Sequence, residues 1–91
     1  MPCNLDKDGV NANVIAFFQA VYPNRSDLSR DTRLGRDLGL SSTGKRSLYF
    51  PVWKRFKELG CPTGVAESDF DDADTIGDIA DAFWGDIGGS R

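Results

Sequence analysis

Apolar residues recur at helical spacing in three stretches of the chain. The first stretch consists of Val14, Phe17, Phe18 and Val21, at the i, i+3, i+4, i+7 spacing of one helix face. Asn11 or Asn13 is available as its N-cap, and Pro23 is a stop signal beyond it. The pattern predicts an amphipathic helix over about residues 12–22.

The second stretch lies in the middle of the chain and consists of Leu48, Val52, Phe56 and Leu59. It ends at Gly60, a typical helix stop. Pro51 lies inside it, and a proline in a helix interior removes a backbone hydrogen bond and kinks the chain. Since proline is also favoured at the first turn, the regular helix could begin there. The predicted start of this central helix therefore lies anywhere from 42 to 51.

The third stretch consists of Ile76, Ile79, Ala80, Phe83 and Ile87. Thr75 with Asp78 three residues later resembles a capping box in which aspartate replaces glutamate. A last helix is predicted over about 75–85, closed by the pair Gly88 and Gly89. Of the adjacent rings of Phe83 and Trp84, one is expected to pack inward and the other to be partly exposed.

The remaining segments, 23–41 and 61–74, carry Pro, Gly, Ser and Asp without alternating β-branched runs. They are predicted to be loops, with one short helical turn around 68–73. The expected fold class is all-α, with three main helices, a short fourth helix and a long loop between the first and second. A length of 91 residues allows one domain over 1–91, with an ordered core of about 10–87.

Composition excludes several kinds of chemistry. The chain has no histidine, so Cys/His zinc sites and nucleophile pairs of the Ser-His or Cys-His type are not available, and we do not expect an enzyme acting alone. Asn4, Asp6, Asp8 and Gly9 imitate the opening of a calcium loop. The twelfth position of such a loop, a bidentate glutamate, is Ile15 here, so no metal site is predicted.

Cysteine content and apolar run length bear on location. Cys3 and Cys61 are too few for a disulfide scaffold, so reduced thiols are expected. The N-terminus shows no basic segment followed by an apolar one, and no apolar run approaches membrane-spanning length. A soluble, cytoplasmic protein without membrane contact is predicted.

Charge is distributed unevenly along the chain, although the formal net charge is only -3. Residues 31–60 hold seven basic and three acidic groups, a balance of +4, whereas residues 61–91 hold one basic and eight acidic groups, a balance of -7. We expect the two regions to attract each other across the fold. The acidic overall balance opposes binding of nucleic acid.

The segment 32–43 joins the long loop to the central helix. Leu34, Leu38 and Leu40 are expected to pack this loop against the helices, and Gly39 permits a tight turn. The turn then presents Ser41 and Ser42 at a helix N-terminus. A hydroxyl is therefore expected to be displayed there.

This segment resembles the acyl carrier protein family, whose signature at this junction is Asp-Leu-Gly-x-Asp-Ser-Leu. Asp37, Leu38 and Gly39 match the signature, and Ser42 falls on the serine that carries the phosphopantetheine arm. Ser41 stands where the family has aspartate, and Thr43-Gly44 replaces the leucine that packs under the modified residue. The resemblance extends along nearly the whole chain and implies the four-helix carrier bundle.

The resemblance also implies a function. A phosphopantetheinyl transferase would join phosphopantetheine to Ser42, with Asp37, Leu38, Gly39 and Ser41 as the flanking motif. The arm would hold an acyl or aminoacyl group as a thioester for partner enzymes of fatty acid, polyketide or nonribosomal peptide biosynthesis. The carrier would be a monomer without activity of its own. A groove for the acyl chain would be lined by Val52, Phe56, Val65, Phe70 and Ile76.

Two alternatives stay open at this point. Ser42 could be a plain N-cap, because serine is preferred there whether or not anything is attached. The family's second helix is typically acidic, whereas the central helix here carries the basic set Lys45, Arg46, Lys54, Arg55 and Lys57. The chain could therefore be a carrier-like module without the prosthetic group that docks an acidic partner through this helix.

Overall fold

The computed structural model describes residues 5–61 and 64–87, and it is built from four helices. In chain order these are α1 (Lys7–Val21), α2 (Ser42–Glu58), α3 (Glu67–Asp72) and α4 (Ile76–Ile87). The described residues form no strand, and a long loop joins α1 to α2. The predicted all-α class, with three main helices and a short fourth, is confirmed.

Helix α1 begins five residues earlier than the predicted start. Its N-cap is Asp6, whose Oδ1 accepts a hydrogen bond of 2.7 Å from the backbone N–H of Gly9. The prediction of Asn11 or Asn13 as the cap was wrong. The Asn13 side chain instead donates to the carbonyl of Gly9 one turn earlier. The Asp6–Gly9 spacing that imitated a calcium loop therefore forms the first turn of a helix.

Helix α2 runs without interruption through Pro51. It begins at Ser42, the earliest start allowed by the sequence, and the proline ring is exposed. At the other end the N–H of Cys61 donates to the carbonyl of Phe56 at 2.8 Å, and Gly60 has a φ of +80°. This is the Schellman arrangement that ends a helix at glycine, as predicted for Gly60.

Aromatic rings from three helices form the centre of the core. The ring of Phe83 in α4 stacks on Phe56 of α2 at 4.6 Å and meets Phe70 of α3 edge-on at 6.0 Å. Tyr49 of α2 packs edge-on against Phe70 at 5.5 Å, and its hydroxyl donates to the carbonyl of Val65 at 2.6 Å. Stacked and edge-to-face pairs of this kind add about 0.5–1.5 kcal/mol each beyond their burial.

Helix α1 completes the core from the other side. Its buried residues Val10, Val14 and Phe18 share one apolar cluster with the buried face of α4. Phe83 is fully buried and Trp84 is half-buried, so the expected division between these adjacent rings is confirmed.

The loop between α1 and α2 is hydrogen-bonded to the start of α4. The backbone N–H groups of Ile76 and Gly77 donate to the carbonyls of Thr32 and Arg30, at 3.0 and 2.9 Å. In the opposite direction, the N–H of Leu34 donates to the carbonyl of Asp74 at 2.8 Å. These bonds satisfy N–H groups that every helix leaves free in its first turn.

Thr75 and Asp78 form the predicted capping box. The N–H of Asp78 donates to Thr75 Oγ1 at 3.1 Å, and the N–H of Thr75 donates to Asp78 Oδ2 at 3.1 Å. The short side chain of aspartate therefore replaces glutamate in this role. The start of α4 is fixed both by its own cap and by the loop that packs on it.

Arg30 connects the loop to two helices. Its guanidinium donates to Asp81 Oδ2 of α4 at 2.9 Å and to Asn11 Oδ1 of α1 at 2.5 Å. The hydrogen bond from Arg30, reinforced by its charge, lowers the pKa of Asp81, although partial burial of the carboxyl opposes this effect. Asp81 is therefore held as a carboxylate.

Two observations bear on the predicted location. Cys61 is buried and disulfide-bonded, so the prediction of reduced thiols is wrong for this residue, and Cys3 lies outside the described residues. Location in the cytoplasm stays a prediction, without the support expected from reduced thiols. No helix in the described part of the chain is long and apolar enough to span a membrane.

Gly77 tests the contact between α4 and the loop. A Cβ at this position would lie 2.9 Å from the carbonyl oxygen of Arg30, so Gly77→Ala forces the loop backbone to move. We expect a loss of about 1–3 kcal/mol in the free energy of unfolding, measured by urea denaturation. Gly85→Ala in the same helix is the matched control, because nothing lies within 4 Å of its Cβ. It should gain about 0.5–1 kcal/mol through helix propensity. A Gly77→Ala variant as stable as the Gly85→Ala variant contradicts the described packing.

The Arg30–Asp81 pair predicts an acid-sensitive contribution to stability. Because the pKa of Asp81 is lowered in the folded state, its stabilisation is complete above the usual carboxyl range and is lost as the pH falls through the folded value. Both side chains are more than a third exposed, so the contribution should stay below about 1 kcal/mol. The Asp81→Asn variant should lose less stability than the native protein between neutral pH and pH of about 3. Asp72→Asn, which removes an exposed carboxylate outside this ion pair, is the matched control.

Candidate attachment site at the start of helix α2

A tight turn precedes α2 and contains the three residues that match the carrier signature. The carboxylate of Asp37 accepts a hydrogen bond of 2.9 Å from the N–H of Arg33, which closes the turn. Leu38 is half-buried against the core, and Gly39 adopts a φ of +70°, a left-handed conformation that favours glycine. The roles of Asp37, Leu38 and Gly39 in the structure are therefore to shape the turn.

Two leucines hold this turn in place. Leu34 is fully buried, and its carbonyl accepts a 2.9 Å hydrogen bond from the N–H of Leu40. The side chain of Leu40 lies over Gly44, where a Cβ would come within 3.0 Å of Leu40 Cδ2. Leu40 thus packs against the first turn of α2. The glycine leaves room for it.

Ser41 and Ser42 have different environments. Ser41 is the N-cap of α2, and its Oγ accepts a hydrogen bond of 3.2 Å from the N–H of Gly44. Ser42 is the first helical residue and is exposed, and its hydroxyl makes no hydrogen bond with the described residues. The alternative in which Ser42 is the N-cap is therefore wrong, because Ser41 has that role. The hydroxyl of Ser42 is accessible from solvent.

The electrostatics at this end of α2 favour an anion. The first turn carries no acidic side chain, so nothing offsets the positive end of the helix dipole. The backbone N–H groups of Ser42 and Thr43 have no partner among the described residues. A phosphate group attached at Ser42 would meet free N–H donors, a contribution of about 0.3–1 kcal/mol.

Two of the predicted partner-binding cations are occupied within the protein. Lys45 Nζ donates to the carbonyl of Ala73 at 2.9 Å, at the end of α3. Arg46 contacts Asp71 Oδ2 through Nε at 2.7 Å and Nη2 at 2.6 Å, and this hydrogen bond raises the pKa of Arg46. The other carboxylate oxygen, Asp71 Oδ1, is buried without a hydrogen-bond partner. Lys45 and Arg46 therefore fasten α3 to α2.

The other three cations of the predicted set lie further along α2 and are exposed. Lys57 Nζ lies 5.2 Å from the ring centroid of Trp53, a cation–π contact. Phe50, which is 59% exposed, packs against the same indole with ring centroids 5.9 Å apart. We call Phe50, Trp53, Lys54 and Lys57 the outer face of α2. Arg55 lies about 140° around the helix from Phe50 and belongs to a groove beside α1.

Phe50 is the residue that sequence reasoning missed. The helical stripe of buried residues around it gave no reason to expect an exposed ring. The helical spacing could have indicated it, because Phe50, Trp53 and Lys57 stand at i, i+3, i+7 on one face of α2. That face is opposite the buried positions Val52 and Phe56.

The predicted acyl groove is absent at the residues proposed to line it. Those five residues do come together, but all are buried in the packed core, with exposed fractions of 5% or less. They are Val52, Phe56, Val65, Phe70 and Ile76. Because their side chains fill the space between α2, α3 and α4, they leave no open cleft between them.

No protein-family model, curated protein or solved structure matches this chain.

Proposed function

We propose that this protein is an acyl or peptidyl carrier whose phosphopantetheine arm is attached to Ser42. The observation that supports this most strongly is that the two adjacent serines have different roles in the structure. Ser41 caps α2, while the Ser42 hydroxyl is exposed at the positive end of a long helix and makes no hydrogen bond with the described residues. The resemblance of Asp37, Leu38 and Gly39 to the carrier signature adds to it.

The residues around Ser42 would each serve the attachment. Ser42 Oγ would be the atom esterified, and the free N–H groups of the first turn would face the phosphodiester. Leu40 under Gly44 and the capping hydroxyl of Ser41 would hold the backbone in position. When attached, the arm supplies a terminal thiol that holds the acyl or aminoacyl group as a thioester. The chain itself would catalyse no step and would act in the cytoplasm.

The charge of α2 would set the choice of partner enzymes. The first turn lacks acid, Arg46 is paired with Asp71, and Lys45 donates to a carbonyl at the end of α3. The exposed cations of α2 without an ion pair to a described residue therefore lie in the second half of the helix. A transferase or acyl-handling enzyme that approaches along α2 would need an acidic surface there, since like charges repel across an interface.

Attachment is tested by mass. After incubation of the full chain with coenzyme A and a broad-specificity phosphopantetheinyl transferase, we expect a mass gain of about a third of a kilodalton. The gain should disappear in Ser42→Ala. Ser41→Ala is the matched control, because it removes the helix cap at a cost of about 1 kcal/mol but keeps the attachment hydroxyl.

The outcomes of the mass measurement are separable. A protein that gains no mass while a known carrier in the same reaction is fully loaded contradicts the proposal. So does a gain that persists in Ser42→Ala. Circular dichroism of both serine variants shows whether α2 is intact, so a failure to load is not confused with a failure to fold.

A second function, docking of an acidic partner without the prosthetic group, is favoured by one observation. The outer face of α2 displays Phe50 at 59% exposure beside the cations Lys54 and Lys57. Exposed aromatic side chains among cations are typical of binding surfaces rather than of solvated helix faces. Such a face would fit an amphipathic helix with apolar and acidic side chains.

Docking is tested with Trp53 as the reporter. In a Trp84→Phe background, Trp53 is the remaining tryptophan, and its fluorescence should change when a synthetic helix with leucines and glutamates on one face is added. Replacing Lys54 and Lys57 with glutamate should weaken binding by about tenfold and reduce its dependence on salt.

The controls use the same chain. Phe50→Ala should weaken binding without loss of stability, because its ring is exposed. Glu58→Gln, a charge change one turn from Lys54 and outside the outer face, should change affinity little. If the acidic helix does not bind even at low salt, or if a lysine-containing helix binds equally well, the docking function is contradicted.

A further inference from the structure

A groove of about 290 Å³ lies between α1 and α2, away from the Ser42 site. It forms because α1 packs on α4 while α2 packs on α3, so the first two helices diverge on this side. Its lining residues are Asn13, Ala16, Phe17, Ala20 and Arg55. The walls are therefore mainly apolar, with one cation at the edge.

Arg55 is the charged residue of the groove, so its guanidinium would favour ligands that carry a negative charge. Its guanidinium makes no hydrogen bond or ion pair with any described residue, unlike Arg30 and Arg46, which are both paired with aspartate. Glu58 lies one turn further along α2 and forms no ion pair with it. Since no acidic side chain lines the groove, the positive charge of Arg55 is uncompensated there.

The dimensions of the groove favour a small ligand over a partner helix. The α1 residues that line it run from Asn13 to Ala20, a length of about 10 Å at the helical rise. The volume is at the lower end of the range for small-molecule sites. A short alkyl chain fits this length, whereas a docked helix would need a longer trough.

We propose that the groove binds medium-chain fatty acids, with the carboxylate on Arg55 and the alkyl chain against Ala16, Phe17 and Ala20. A guanidinium matches a carboxylate in geometry as well as in charge. The half-buried ring of Phe17 and the two alanine methyl groups give the chain an apolar surface. Because Arg55 lies about 20 Å along α2 from Ser42, binding there is independent of attachment at Ser42.

Octanoate is the probe, and the binding is measured by two-dimensional amide NMR on the full chain at neutral pH. We expect saturable shifts at residues 13–20 and at Arg55, with a Kd in the millimolar range. Arg55→Gln should raise that Kd by about tenfold, as expected for loss of a charge-assisted hydrogen bond. Lys54→Gln, an adjacent cation on the outer face of α2, should leave the Kd unchanged.

A second ligand and a second variant separate the contribution of the carboxylate from that of the alkyl chain. Octanol, which lacks the carboxylate, should bind more weakly and respond little to Arg55→Gln. Ala20→Met should block the groove and weaken both ligands, and it serves as the test if Arg55→Gln proves less stable by circular dichroism.

Three outcomes overturn the proposal. One is the absence of saturable shifts. The second is a set of shifts centred on the outer face of α2 instead of the groove. The third is a Kd for octanoate that neither Arg55→Gln nor Ala20→Met changes. None of these depends on whether Ser42 accepts the phosphopantetheine arm.

Discussion

The hydrogen bonds between the first loop and the N-terminus of α4 are the constraint on which the rest of the structure depends. The carbonyls of Arg30 and Thr32 accept the N–H groups of Gly77 and Ile76, and Leu34 is buried beside them. This fixes the end of a loop that has no regular structure of its own. The tight turn at Gly39 and the first residue of α2 follow from there, so the position of Ser42 is set by a helix that lies far from it in sequence.

Some of the opposed charges along the chain are engaged in contacts within the molecule. Arg30 pairs with Asp81, Arg46 with Asp71, and Lys45 with carbonyls at the end of α3. The expected attraction between residues 31–60 and 61–91 is seen in the pairs Arg46–Asp71 and Arg33–Asp74, the latter at 3.9 Å. Arg30 lies just before that basic region, and Lys45 contacts carbonyls rather than acidic side chains. Among the exposed cations without an ion pair to a described residue, Lys54, Arg55 and Lys57 lie together on the second half of α2, whereas Arg36 lies in the loop before it.

The pairing of helices explains why α2 has two different exposed flanks. Its buried side contributes Val52 and Phe56 to the core, where Phe56 stacks on Phe83. On one flank α2 diverges from α1 and leaves the groove beside Arg55, and on the opposite flank it exposes Phe50. A short helix, α3, occupies the remaining neighbour position. A bundle with only three long helices cannot cover every face of its central helix.

The amino-acid sequence by itself determined the helical class, the capping box at Thr75 and Asp78, the glycine stop at Gly60 and the turn at Gly39, because each depends on neighbours within a few positions. It placed the start of α1 wrongly, since the cap at Asp6 lies ahead of the apolar stripe. The cap at Ser41 is also local, a bond from Gly44 three residues later, but the adjacent Ser41, Ser42 and Thr43 left its position open. Only the tertiary structure decided that Lys45 and Arg46 contact α3 while Arg55 pairs with none of the described residues, and that the predicted acyl groove is filled by the core. These contacts depend on which side chains from distant segments of the chain meet, and helix packing, rather than local spacing in the sequence, determines that.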